Sequence, residues 1–180
     1  MSKIFVDSIQ PKTTGGVINA KGMVIQMPFT QYTGTTSVSI SANTDTVISV
    51  LTVNITPSST SSIIRLDTHI FHEWNHSSNP FNSVWFFYRD TTKLAHAQTG
   101  SRLSGITPSL ISNTGDASST PEAANYTYFD APSTTSQITY KVATIAHNAC
   151  TLFINRDVTD SDSTEYERGI SFISATEIGG

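Results

Sequence analysis

Apolar and polar residues alternate along several stretches of the chain, and clusters of turn residues separate these stretches. The clearest stretch covers 62–74. There Ile64, Leu66, Ile70 and Trp74 fall on one face, and Arg65, Asp67 and Glu73 on the other. A period of two is that of a half-buried strand. Residues 24–32 form an earlier strand, in which Pro28 has no N–H for a ladder and so marks an edge or a bulge. Residues 46–55 follow, with Val47, Leu51, Val53 and Ile55 mostly on one face, before a turn at 55–62. Residues 84–89 and 93–97 flank Asp90-Thr-Thr92 and read as a hairpin. Residues 99–124 are rich in Ser, Thr and Gly and hold Pro108 and Pro121, so they form either two short strands with loops or one long surface excursion. Strands at 125–129, 137–145, 149–155 and 168–178 complete a set of eight to ten. No stretch has the period of an amphipathic helix. The pattern predicts an all-β fold, an antiparallel β-sandwich of the jelly-roll kind.

The first 22 residues differ from the rest. Ile4, Val6 and Ile9 suggest a short extended piece. Pro11-Lys-Thr-Thr-Gly-Gly16 then breaks it, because Pro fixes φ and Gly relaxes it. The chain thus divides into an arm, 1–22, and a sandwich domain, 23–180. An arm of this kind orders by docking on something else, which makes Ile4, Val6, Ile9 and Pro11 the candidate docking residues.

Composition sharpens the picture. Of 180 residues, 27 are Thr and 25 are Ser, while Leu, Glu and Lys number only 6, 5 and 5. Strand-forming residues are therefore favoured over helix formers. Charged residues make up 13%, against roughly 25% in an average soluble domain. So little charge implies that part of the exterior is hidden against other subunits. A net charge of -4 with no Lys/Arg cluster argues against binding to nucleic acid. No apolar run approaches the roughly 18 residues of a membrane span. The start lacks the apolar core of a secretory signal, and the one cysteine, Cys150, has no partner for an internal disulfide.

Several phrases in order resemble the small tail-fibre-like proteins of marine bacteriophages, including those infecting cyanobacteria. These are the opening Lys3-Ile-Phe-Val-Asp-Ser-Ile-Gln-Pro-Lys-Thr-Thr-Gly-Gly16, then Ile55-Thr-Pro-Ser-Ser-Thr-Ser-Ser-Ile-Ile64, then Asp130-Ala-Pro-Ser-Thr-Thr-Ser-Gln-Ile-Thr-Tyr140. Asn155-Arg156 and the ending Gly169-Ile-Ser-Phe-Ile-Ser-Ala-Thr-Glu-Ile178 complete them. The resemblance implies a virion structural protein, a homotrimer whose knob is similar to the tumour necrosis factor-like jelly roll. Its arm would hold other phage virion proteins. It carries over no catalytic residues and no cofactor. This chain has an arm and a knob but no long shaft, so tail, capsid or another fibre all stay open as its location on the particle.

Three constellations could carry chemistry. His72-Glu-Trp-Asn-His76 matches His-Glu-x-x-His, the zinc-protease pattern. That chemistry needs a helix, which sets both histidines on one face. Residues 66–71 alternate as a strand, where positions four apart lie about 13 Å from each other, too far to share a zinc with its bonds of roughly 2 Å. His69 adds a third histidine without changing this. Asp157, Asp160, Asp162 and Glu165 hint at a calcium loop, but Thr164 and Glu165 stand where the template wants an Asp or Asn and then Gly. A solvated hairpin tip is the expected alternative. Cys150 sits in an apolar strand pattern and reads as a buried, inert thiol.

The aromatic residues between 74 and 88 admit two readings. One is core packing together with a subunit seam, with the apolar run Val84-Trp-Phe-Phe buried on one side by the core and on the other by a neighbouring copy. The other places Trp74, His76, Asn79 and Phe81 on a surface that contacts a host cell-surface glycan. The expected protein is a non-enzymatic virion appendage. The competing readings are a capsid decoration protein, a free carbohydrate-binding lectin module, and a zinc hydrolase using His72, Glu73 and His76.

Overall fold

The computed structural model describes residues 20–75, 82–109 and 118–180, and these contain strands and turns but no helix. Twelve strands are described: β1 Val24–Gln26, β2 Phe29–Tyr32, β3 Thr36–Ile40, β4 Thr46–Ile55, β5 Ile63–Trp74, β6 Ser83–Arg89, β7 Thr92–Leu94, β8 Thr107–Pro108, β9 Glu122–Asp130, β10 Ile138–Ala146, β11 Cys150–Ile154 and β12 Ser171–Ile178. They form two antiparallel sheets.

Several of these strands are fragments of one longer strand. On one side of β5, Ile154 of β11 stands opposite His72, and Phe172 of β12 opposite His69. The Asn155 amide donates to the Phe71 carbonyl at 2.9 Å. β11 and β12 are thus one strand interrupted by an excursion over 155–170. Its outer neighbour is likewise one strand, with β3 on β11 and β1 and β2 on β12. In the smaller sheet β7 and β8 share one edge of β6. Eight strand positions remain, lettered A (β1–β3), B (β4), C (β5), D (β6), E (β7 and β8), F (β9), G (β10) and H (β11 and β12). The sheets run A-H-C-F and B-G-D-E. The β-sandwich expected from the pattern is present, in the strand order of an eight-stranded jelly roll.

The expected alternation of β5 holds. Ile64, Leu66, Ile70 and Trp74 are buried between the sheets, with Leu51, Trp85, Phe87, Tyr140 and Leu152. Pro28 separates β1 from β2 on an edge, and its carbonyl still accepts from the Ala175 amide at 2.9 Å. β4 departs from expectation. Between its two pairings with β10 the register slips by a bulge, so Thr52 stands opposite Lys141 but Val47 opposite Ala143. The extra residues turn Val47 outward, while Ile48, Leu51, Val53 and Ile55 stay buried. β3 was not anticipated, and β9 starts at Glu122, three residues before the expected strand.

The seam expected on the outer side of Val84-Trp-Phe-Phe is also corrected. Phe86 is fully buried there, but its cover is the chain's own residues Ala95, Leu103 and Ile106, with Ala143 and Ile145 of β10. Lys93 Nζ lies 3.9 Å from the centre of its ring.

Polar hubs close the sandwich. Glu177 is fully buried and accepts from Gln26 Nε2 (2.6 Å), the Ser58 amide (2.7 Å), Ser58 Oγ (2.6 Å) and Ser62 Oγ (2.6 Å). Burial acts to raise its pKa, but the bonds from Ser58, Ser62 and Gln26 outweigh it and hold the carboxyl below the ordinary glutamate range. Asp130 of β9 accepts from Arg89 Nη1 (2.9 and 3.0 Å) and from Tyr140 Oη (2.7 Å), which joins the two sheets. Asn155, at φ 62°, donates from Nδ2 to the carbonyls of Tyr32 and Gly34, both at 2.8 Å. Its Oδ1 accepts from Ser171 Oγ at 2.6 Å.

Glu177→Gln is expected to cost about 1–3 kcal/mol at pH 7, because a donor replaces an acceptor among four donors. A carboxyl with a lowered folded pKa contributes stability above its unfolded pKa of about 4.3 and loses it as pH falls through the folded value. Urea unfolding should therefore show a gap between parent and variant at pH 7 that narrows at pH 3.

Candidate functional site

The His-Glu-x-x-His segment begins on strand C, as its alternation predicts. His72 and Glu73 consequently point to opposite sides of the sheet. His72 is 1% exposed on the core face. Its Nδ1 lies 2.9 Å from the Glu122 carbonyl, and its ring packs edge-on to Trp85 at 5.1 Å. Burial lowers its pKa to about 4, against the Glu122 bond, which favours the charged form, and with a smaller push from His69. The imidazole is neutral at pH 7. Glu73 is equally buried on the outer face, under the excursion. It accepts from the Thr120 amide at 3.0 Å and from the Val158 amide. His69, also on the outer face, bonds Asn125 Oδ1 through Nδ1 at 2.7 Å. His76 lies outside the described residues. Among those described, no three His, Cys, Asp or Glu come together as a metal site would require.

The acidic segment differs from the solvated tip expected. Asp157 is fully buried, and its Oδ2 accepts from the Glu167 amide at 2.8 Å. Burial raises its pKa to about 6. The Glu167 amide opposes the rise, and the nearby carboxylates of Glu73 and Glu167 add to it. Asp160 instead pairs with Arg168 at 2.8 Å and Arg156 at 3.7 Å, closing the excursion at its base. Asp162 and Glu165 are exposed at its tip. Cys150 is buried, and burial pushes its thiol up to about 11.

Trp74, expected on a glycan-binding surface, is in the core at 1% exposure, tilted against Trp85 at 5.9 Å. It shares the even-numbered, inward face of β5, which removes it from any surface. Its companions His76, Asn79 and Phe81, and the docking residues Ile4, Val6, Ile9 and Pro11, lie outside the described residues.

Among the described residues, two surfaces have the extent and chemistry to receive a partner. The first is the outer face of sheet A-H-C-F. Register places Thr176, Arg65 and Phe129 in one row, Phe29, Ser174, Asp67 and Thr127 in the next, and Gln31, Phe172, His69 and Asn125 in a third. Phe29 and Phe129 are 63% and 60% exposed. The polar groups between them satisfy one another. Arg65 pairs with Asp67 at 2.9 Å, Thr127 donates to Asp67 at 2.6 Å, and His69 stacks on Phe172. The face carries aromatic area and little free charge.

The second surface is a groove on sheet B-G-D-E, beside the loop over 96–106. Three adjoining hollows of about 220, 460 and 880 Å³ share Arg102 and Leu103 in their walls. Val84, Leu103, Ile145 and Pro108 give apolar surface, and Asn43, Gln98, Ser101, Ser104 and His147 give polar groups. The sequence held a signal for it in Gly100-Ser-Arg-Leu-Ser-Gly105, a segment that reads as an ordinary serine-bearing loop because its partners come from distant turns. In comparisons with known proteins, the chain matches no family model and no curated protein sequence.

The buried carboxyl of Asp157 gives a pH test. A raised folded pKa contributes stability that is present below the unfolded value of about 3.9 and is lost as pH rises through about 6. Asp157→Asn removes that loss. Its Tm should rise above the parent's at pH 7.5, by an amount on the order of 2–3 kcal/mol in stability, and the advantage should vanish at pH 4. Thermal unfolding at both pH values checks this.

Proposed function

We propose that this chain is a bacteriophage virion structural protein, a short tail-fibre-like appendage. Residues 1–22 would dock on other virion proteins, and a trimeric, tumour necrosis factor-like knob would face outward toward the host. The observation that carries the reading is the outer face of sheet A-H-C-F. A sheet face with Phe29 and Phe129 exposed, and with Arg65 and Asp67 already paired, suits burial against neighbouring copies around a three-fold axis. A surface poor in charge supports it, since 13% charged residues leave a lone monomer little to keep it apart from its neighbours. The phrases resembling phage tail-fibre-like proteins supply the virion setting. A second reading, a free carbohydrate-binding module, is favoured by the groove on the opposite sheet and needs neither arm nor trimer.

Light scattering on the purified full chain at micromolar concentration tests the assembly. The expected mass is three times the 19.5 kDa of one chain. The double variant Phe29→Asp, Phe129→Asp should run as a folded monomer, because six buried carboxylates around the axis would repel. A monomeric parent overturns the appendage reading. Antibody labelling of intact particles then separates tail from capsid.

A further inference from the structure

We infer that the groove along the 96–106 loop binds an acidic saccharide, with Arg102 receiving the carboxylate of a pyranose ring. This deepens the outward-facing role proposed above and rests on that reading only for how the ligand is met; the chemistry is that of the groove. The loop is built rather than incidental. Gln98 Nε2 donates to the carbonyls of both Gly100 and Arg102 at 2.8 Å, and Ser104 Oγ donates to the His96 carbonyl. The Ile106 amide donates to Trp85 at 2.7 Å. Gly105 is pressed against strand D so closely that a Cβ would lie 2.6 Å from Val84 Cβ and 2.9 Å from the Trp85 carbonyl. Gly100, at φ 62°, makes the reversal. The loop is thereby fixed on the sheet, and its Arg102 is exposed.

Charge then selects the ligand. Lys93 is held by Asp45 at 2.8 Å. Arg102 has no carboxylate within ion-pair distance among the described residues, and its single bond, Nη1 to the Thr99 carbonyl, is long at 3.4 Å. In a chain of net charge -4 this is a cation with no carboxylate partner among the described residues. A guanidinium presents a planar fork that fits a carboxylate through two parallel bonds. Beside it, the walls combine apolar side chains, Leu103, Ile145 and Val84, with the amide of Asn43 and the hydroxyl of Ser101. That mixture suits a sugar ring, which offers C–H faces as well as hydroxyls. Two of the three hollows, at about 460 and 880 Å³, fall in the size range of small-ligand sites.

Isothermal titration of the full chain at low ionic strength tests this with tetragalacturonate as probe. Its fully methyl-esterified form and tetraglutamate serve as comparators. Tetragalacturonate should bind, and the uncharged ester and the peptide should each bind at least tenfold more weakly. Arg102→Gln should weaken the probe at least tenfold, whereas Arg168→Gln, at the excursion, should leave it unchanged. No heat at millimolar probe overturns the inference. So does an Arg102→Gln affinity within twofold of the parent, or equal binding of the ester. Equal binding of tetraglutamate would assign the groove to acidic peptides instead and overturn the saccharide. Light scattering on the same samples keeps the two readings apart: a trimer that binds none of the probes defeats only the groove, and a monomer that binds tetragalacturonate defeats only the appendage.

Discussion

The fold depends on the pairing of strand C along both of its edges. β5 is twelve residues long, and β9 takes one side while β11 and β12 share the other. Such a strand cannot slip by one residue without sending Leu66 and Ile70 to the surface and Arg65 and Asp67 into the core. Its alternation therefore fixes the register of the strands beside it, and through Ile154, Ile173 and Ala175 it fixes what strand H offers the second sheet. The rows on the outer face, from Phe129 to Asn125, are the other half of the same constraint.

A chain with so few charges still buries two carboxylates and an amide at structural joints. Glu177 gathers β1, the turn before β5 and β12 around one carboxylate. Asp130 ties strand F to strands D and G, and Asn155 caps the point where strand H breaks off. Each stands where backbone pairing is interrupted and polar groups would otherwise be buried unpaired. Ser58, Ser62 and Ser171 supply small donors to two of these hubs, which gives part of the serine content a structural use.

Much of this was legible. The two faces of β5, the edge proline and the hairpin at Asp90 each follow from local chemistry: a period of two, a missing N–H and a short polar turn. What was not legible depends on contacts between distant residues. The bulge that turns Val47 outward arises from pairing with β10. Asp157 looks like its solvated neighbours until Glu73 and Glu167 are brought around it. The apolar run of strand D does call for cover on both faces, but sequence does not say whether that cover is a second copy or the chain's own loop. Trp74 has the even-numbered parity of the buried face of its strand, and that parity is enough to put it inside rather than on a surface. Of the candidate site, the sequence shows only a Ser/Thr/Gly-rich stretch over 99–124. Its surroundings come from Asn43 and His147, on two separate turns, and from Lys93 on β7.

The excursion over 155–170 leaves strand H and returns to it almost in register, with Arg156 and Arg168 facing each other in an isolated bridge at its neck. The ladder on β5 resumes as though little had intervened. Past that neck the tip, with Asp162 and Glu165, is in solvent and contributes nothing to the register. The sandwich is therefore indifferent to how long the tip is. Sequence can be added or replaced there, as on a peg, without the surrounding architecture having to be renegotiated.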